Sequence, residues 1–177
     1  TPWRQLSATA TYTLFRSEFT DRAGVYRPSS WDTQQMLNLL LSYRLGKSWY
    51  LSARWRYIGG APYTPIDMER STDRAAWALT HRAYPDNARF NTLRLPDKHQ
   101  LDLRLDKEFY FKRWMLNLYV DVQTAYLSGT VNAPVYTNLD PSGRLMEHPT
   151  DPSRQQLRQL DYYSRLVLPT LGLIAKF

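Results

Sequence analysis

The chain has 177 residues, with 23 Lys and Arg against 16 Asp and Glu for a formal charge of +7, and it holds no cysteine. Its mean hydropathy is negative and it contains no run of about 18 apolar residues, which excludes helical membrane spans; disulfides and thiolate metal sites are excluded with the cysteines. The basic residues are spread along the chain rather than clustered, so nucleic acid is not an expected partner.

The chain opens Thr1-Pro2-Trp3, without an initiating Met or a signal peptide, as expected of a mature product or a piece of a longer chain. Residues 5–15 alternate Leu6, Ala8, Ala10, Tyr12 and Leu14 with Ser7, Thr9, Thr11 and Thr13, the two-residue period of a strand with one dry and one wet side. A polar, turn-rich loop follows to Thr33. Residues 34–45 form a second expected strand, with Leu37, Leu39, Leu41, Tyr43 and Leu45 opposed to Asn38, Ser42 and Arg44. After Gly46-Lys47-Ser48, residues 49–58 set Trp49, Leu51, Ala53, Trp55 and Tyr57 against Tyr50, Ser52, Arg54 and Arg56.

Residues 59–98 show no sustained period and are expected to be a loop longer than a compact soluble domain tolerates. A hairpin of two long strands, 99–110 and 114–126, comes next. Leu101, Leu103, Leu105 and Phe109 share one face of its first strand, broken only by Lys107, with Asp102, Arg104, Asp106 and Glu108 opposite. Its second strand places Trp114, Leu116, Leu118, Val120 and Val122 against Asn117, Tyr119, Asp121 and Gln123. Another proline-rich loop leads to a last strand, 165–177, with Val167, Leu171, Leu173, Ala175 and Phe177 on one face.

Ordinary strands run about 5 to 6 residues, whereas these approach ten, the length a tilted strand needs to cross a bilayer. Connections alternate long and short, as in outer-membrane barrels with long extracellular loops and short periplasmic turns. The expected fold is therefore all-β, a transmembrane antiparallel β-barrel. Its aromatic girdle would comprise Tyr43, Trp49, Phe109, Trp114 and Phe177 at the periplasmic rim and Tyr12, Trp55, Tyr57 and Tyr126 at the outer one. The twelve residues from Trp114 to Tyr126 cover roughly 40 Å of strand, or about 28 Å at a 45° tilt, near the ~25 Å apolar band of such barrels. Six strands fall below the smallest single-chain barrel of about eight, and an open edge in lipid costs several kcal/mol per unpaired group. Strands from elsewhere are expected to complete the wall.

Arg44, Arg54, Arg56, Asp102, Arg104, Asp106, Glu108 and Asp121 would face the lumen, as a ligand path or as a cross-strand charge ladder that satisfies itself. Trp31, Tyr63, Trp77, Tyr84 and Tyr136 fall in the long loops, where they would face an extracellular ligand or simply pack the loops. Catalysis is not supported. His81, His99 and His148 lack metal-ligand spacing, and Asp102 and Asp106 stand roughly 13 Å apart on a strand, beyond the ~5 to 9.5 Å of paired-carboxylate hydrolases. No cofactor is implied.

Ser29-Ser30-Trp31-Asp32, Tyr57-Ile58-Gly59-Gly60-Ala61-Pro62-Tyr63-Thr64-Pro65, His99-Gln100-Leu101-Asp102-Leu103-Arg104 and Leu116 to Gln123 resemble, in order and spacing, the C-terminal strands of TonB-dependent outer-membrane receptors. The end of the chain, with Leu171, Leu173 and Phe177, resembles the signal read by the barrel-assembly machinery. The resemblance implies the last six strands of a barrel of about 22, in the outer membrane of a Gram-negative bacterium. It also implies partners: outer-membrane lipid, the remaining strands, a plug absent from these residues, and the TonB energy-coupling system reached through that plug. The implied activity is uptake of a scarce ligand. A passive pore or structural barrel made with partner chains is the alternative.

Overall fold

The structure, a computed structural model, describes residues 5–128, 132–160 and 166–177. Six strands build the main sheet: β1 (Leu6–Leu14), β4 (Gln35–Gly46), β5 (Trp49–Ile58), β8 (Lys98–Tyr110), β9 (Met115–Leu127) and β12 (Leu168–Lys176). They lie in the order β1-β4-β5-β8-β9-β12, each antiparallel to the next. The sheet is an open meander, with β1 and β12 at its edges. Arg165, the expected start of the last strand, lies outside the described residues.

The two-residue period explains the register. Leu41 lies across from Ala8 and Ala53, Ala53 from Leu103, Leu105 from Val120, and Leu118 from Leu173. A continuous apolar face results. Opposite it, Arg54 pairs with Asp102 and Arg104 with Asp121. The apolar face is uncovered: Leu171 is 82% exposed and Leu173 69%, with Leu41, Leu51, Leu103, Leu118 and Val120 also exposed. Among the described residues Trp77 is the one large apolar side chain that is buried, while Asp32, Asp102 and Asp106 are buried carboxylates. This inverts the distribution expected of a domain folded in water.

The antiparallel order brings both short connections to one end of the sheet. Between β4 and β5, Lys47 and Ser48 have φ of 48° and 63°, the positive values that a two-residue type I′ hairpin requires. Between β8 and β9, the Phe111 N–H donates to the Trp114 carbonyl (2.9 Å) and their rings stack at 4.2 Å. Trp114 also stacks on Phe177 (6.3 Å).

The three long connections occupy the other end and carry more structure than their sequence suggests. The first holds a small hairpin, β2 (Glu18–Thr20) with β3 (Tyr26–Pro28). Residues 59–98, expected to be irregular, contain β6 (Pro62–Tyr63), α1 (Met68–Thr72), α2 (Arg74–Thr80), a 3-10 turn at Asn87–Arg89 and β7 (Leu93–Arg94). The third contains β10 (Val135–Thr137) and β11 (Arg158–Leu160). Asp67 and Asp73 cap the helices, accepting from the Arg70 and Ala76 N–H groups, the role that favours Asp at a helix start. No helix among the described residues is long and apolar enough to cross a membrane.

Candidate functional site

Charge concentrates on the polar face of β5, β8 and β9. Asp102 accepts from Arg54 Nε and Nη2 (3.0 and 2.7 Å), from Gln100 Nε2 (2.7 Å) and from the Thr124 N–H (2.9 Å), with Arg56 at 3.7 Å. Asp106 takes a forked pair of bonds from Arg104 (2.9 and 2.7 Å) and one from Asn117 (3.1 Å). Arg104 lies over the Tyr119 ring at 3.9 Å. Tyr119 in turn crosses β12 above Gly172, where a Cβ would meet the ring.

The sequence-selected polar residues thus sit side by side. Arg44 reaches over the Tyr50 ring, the Tyr110 hydroxyl bonds Glu108, and Asp121 lines a hollow with Arg54, Asp102 and Arg104. The set holds four arginines and four carboxylates, so its formal charge cancels, and ion pairs tie Arg54 and Arg56 to Asp102 and Arg104 to Asp106. The ladder largely satisfies itself, as buried charges must. The fork between Arg104 and Asp106 also means that removing Arg104 leaves a buried carboxylate without its cation.

Lys107, the one break in the apolar face, turns to the short-loop end. Its ammonium bonds the Lys47 carbonyl and lies 5.1 Å from the Trp49 ring centre and 5.5 Å from that of Phe109. The stem stays on apolar surface while the charge finds a carbonyl and two ring faces. At the long-loop end the rings of Trp55, Tyr57, His99 and Tyr126 form a chain with centroids 5.1 to 6.3 Å apart. Tyr12 donates to Gln35, which donates to the Tyr57 hydroxyl. Trp49, Phe109, Trp114 and Phe177 lie near the turns. Tyr43, paired with Leu6 and Leu51, sits between that group and the sheet centre.

β9 departs from a regular strand at Thr124, whose φ is 54°. Leu101 lies across from Tyr126 and Leu103 from Val122, so four residue steps of β9 accompany two of β8. The bulge shortens the path from Trp114 to Tyr126 by two residues, to roughly 33 Å of strand.

The long loops interlock. Buried Asp32 accepts from the Ser17 N–H (2.9 Å) and bonds the Arg94 guanidinium, which also holds the Asp32 and Gly60 carbonyls. Burial pushes the Asp32 carboxyl upward, but the Ser17 N–H and Arg94 outweigh it and hold it below its ordinary 3.8. Asp97 is held low by the Tyr57 hydroxyl and the Gly60 N–H. Asn91 donates to the Pro28 carbonyl (2.8 Å), and Phe19 meets Phe90 edge-on at 5.7 Å. Arg74 and its backbone N–H tie the second loop to Glu147, Arg154 and Ser153 of the third.

Among the loop aromatics, Trp77 and Tyr136 come together and line one cleft of about 580 Å³. The others do not join them. Tyr84 holds α1 against α2, donating to the Ala76 carbonyl beneath the Arg70 guanidinium. Tyr63 belongs to the β6–β7 pair, and Trp31 is 82% exposed. Gln155, which no sequence pattern singles out, lines the same cleft as Trp77.

Compared with family models, with curated proteins and with solved structures, the chain matches none. What the site can do therefore follows from its own geometry. Among the described residues no group of three or more His, Asp and Glu could hold a metal ion. Two candidate sites result, the neutral ladder on the sheet and the cleft in the loop layer.

Proposed function

We propose that the chain is part of the wall of an outer-membrane β-barrel, and that the protein is a TonB-dependent receptor taking up a scarce ligand by energy-coupled transport. The observation that carries this is the inverted sheet: leucines outward and exposed, carboxylates inward and buried. Each large aliphatic side chain left in water forgoes about 1.5 to 3 kcal/mol. A continuous face of them calls for hydrocarbon. Aromatic rings at both ends of that face fit the two interfaces of a bilayer, and Lys107 directs its charge to one of them. The self-neutralised ladder suits the lumen, where it would contact water or a plug.

Both edges of the sheet leave backbone groups that lipid cannot satisfy. Further strands close the wall, supplied by the rest of the receptor together with its plug. The interlocked loops at one end would be the extracellular surface, and the turns the periplasmic one, with the Leu171, Leu173 and Phe177 strand as the assembly signal. Intact mass of the protein isolated from the outer membrane in detergent tests this directly. A mass several times that of 177 residues is expected. A mass of 20.9 kDa, with ion conductance after reconstitution, would replace the receptor by a pore assembled from copies or partners.

A further inference from the structure

Among the described residues, Lys107 is the one Lys or Arg on the apolar face of the six strands, and it stands in a hollow of that face. Strand pairing sets Trp49, Lys107, Leu118 and Leu173 side by side across β5, β8, β9 and β12. With Leu105 and Leu171 of the next row they line a hollow of about 570 Å³, within the roughly 300 to 1,000 Å³ that small-molecule sites occupy. Its lining holds no Asp or Glu among the described residues.

The cation in this hollow is only partly satisfied. Lys107 gives one ammonium proton to the Lys47 carbonyl, and the rings of Trp49 and Phe109 lie beside it. An ammonium has three donors, so two remain, and among the described residues no carboxylate forms an ion pair with it. The surroundings add charge of the same sign. Lys47 in the β4–β5 turn and Lys112 and Arg113 in the β8–β9 turn are exposed and likewise form no ion pair among the described residues. Glu108 follows Lys107 directly but belongs to the opposite face, where the Tyr110 hydroxyl bonds it. A positive charge on the apolar side of a wall in hydrocarbon calls for an anion at the same depth.

We infer that the hollow holds an anionic glycerophospholipid of the periplasmic leaflet, its phosphate on Lys107 and an acyl chain against Leu105, Leu118, Leu171 and Leu173. Net charge selects the headgroup. A zwitterionic lipid would bring its own ammonium among Lys47, Lys107, Lys112 and Arg113, with no carboxylate on this face to receive it, whereas a net anion meets only opposite charge. The inference rests on the outer-membrane wall proposed above and deepens it by naming the lipid that lies against it.

The test is native mass spectrometry of the purified full-length protein, delipidated in detergent and offered equal amounts of dioleoyl-phosphatidylglycerol and dioleoyl-phosphatidylcholine. The two share chains and phosphate and differ in net charge. Retention of phosphatidylglycerol is expected to be about fivefold the greater, the scale of one basic residue near an anionic surface. Lys107→Leu continues the apolar face, so it leaves the wall intact and is expected to lose the preference. Lys107→Arg is expected to keep it, as is Arg82→Gln in the loop layer. Equal retention of the two lipids, or an undiminished preference in Lys107→Leu, would overturn the inference and leave the wall standing. Retention of neither lipid would overturn it as well, and gel shift of unheated samples then tells whether the wall falls with it.

Discussion

The Thr124 N–H donates to the Asp102 carboxylate across 2.9 Å, tying the bulge of β9 to the central charge of β8. Thr124 is β-branched and has a φ of 54°, a conformation costing about 1 to 2 kcal/mol. Asp102 stabilises it there with the acceptor that the distorted ladder lacks, while Arg54 and Arg56 neutralise the charge that Asp102 brings.

Asp102→Ala is expected to destabilise the sheet by about 1 to 3 kcal/mol, mainly through the orphaned Thr124 N–H. The lost ion pairs add less, because Arg54 is half in solvent and exposed pairs contribute little. Thr124→Gly is expected to be neutral or stabilising. Denaturant midpoints of both variants check this; equal losses in the two would separate the bulge from Asp102.

Arginine substitutions distinguish the two faces. Leu103→Arg is expected to lose about 2 to 4 kcal/mol at mid-bilayer and to impair assembly. Thr170→Arg, on the polar face across from Asp121, is expected to be tolerated. Arg104→Leu, harmless if the polar face were merely wet, is expected to cost about 1 to 3 kcal/mol, because Asp106 keeps only Asn117. Gel shift of unheated samples reports all three.

Two glycines predict opposite tolerance. A Cβ at Gly60 would strike the Leu95 carbonyl, whereas one at Gly172 would strike the movable ring of Tyr119. Gly60→Ala is expected to cost about 1 to 3 kcal/mol by overpacking. Gly172→Ala is expected to cost less and to couple with Tyr119→Ala in a double-mutant cycle.

Acid should release the first loop. The Asp32 carboxyl lies below its ordinary 3.8 in the folded protein, so its stabilisation is complete above that value and is lost as pH falls through the lower folded value. Pepsin is expected to cut residues 16–34 progressively faster over that interval. In Asp32→Asn the cleavage rate should change less with pH; an unchanged pH profile would remove Asp32 as the cause.

The sheet was legible because its period is unambiguous. Leu101, Leu103 and Leu105 could share only one face, and the short Lys47-Ser48 and Phe111–Trp114 connections left antiparallel pairing as the simple solution. The bulge was not legible, since the alternation slips at Thr124-Ala125 no more than it does at Lys107, where no bulge forms, and only the acceptor on β8 reveals the insertion. The loop helices escaped because five and seven residues are too few for a periodic signal. Asp67 and Asp73 were the available signs, three residues ahead of Arg70 and Ala76. Of the cleft, Trp77 and Tyr136 stood out as loop aromatics. Gln155 did not, because its meaning lies in a burial that a loop sequence does not announce.

The most direct test of the inverted sheet is a nitroxide scan along β8 in lipid vesicles, using single cysteines in a chain that has none of its own. Labels at Leu101, Leu103 and Leu105 are expected to collide with oxygen dissolved in the bilayer and to be shielded from a water-soluble nickel chelate. Labels at Gln100 and Glu108 should show the reverse, giving a two-residue alternation. Equal access of the chelate to both sets would contradict a membrane-spanning wall.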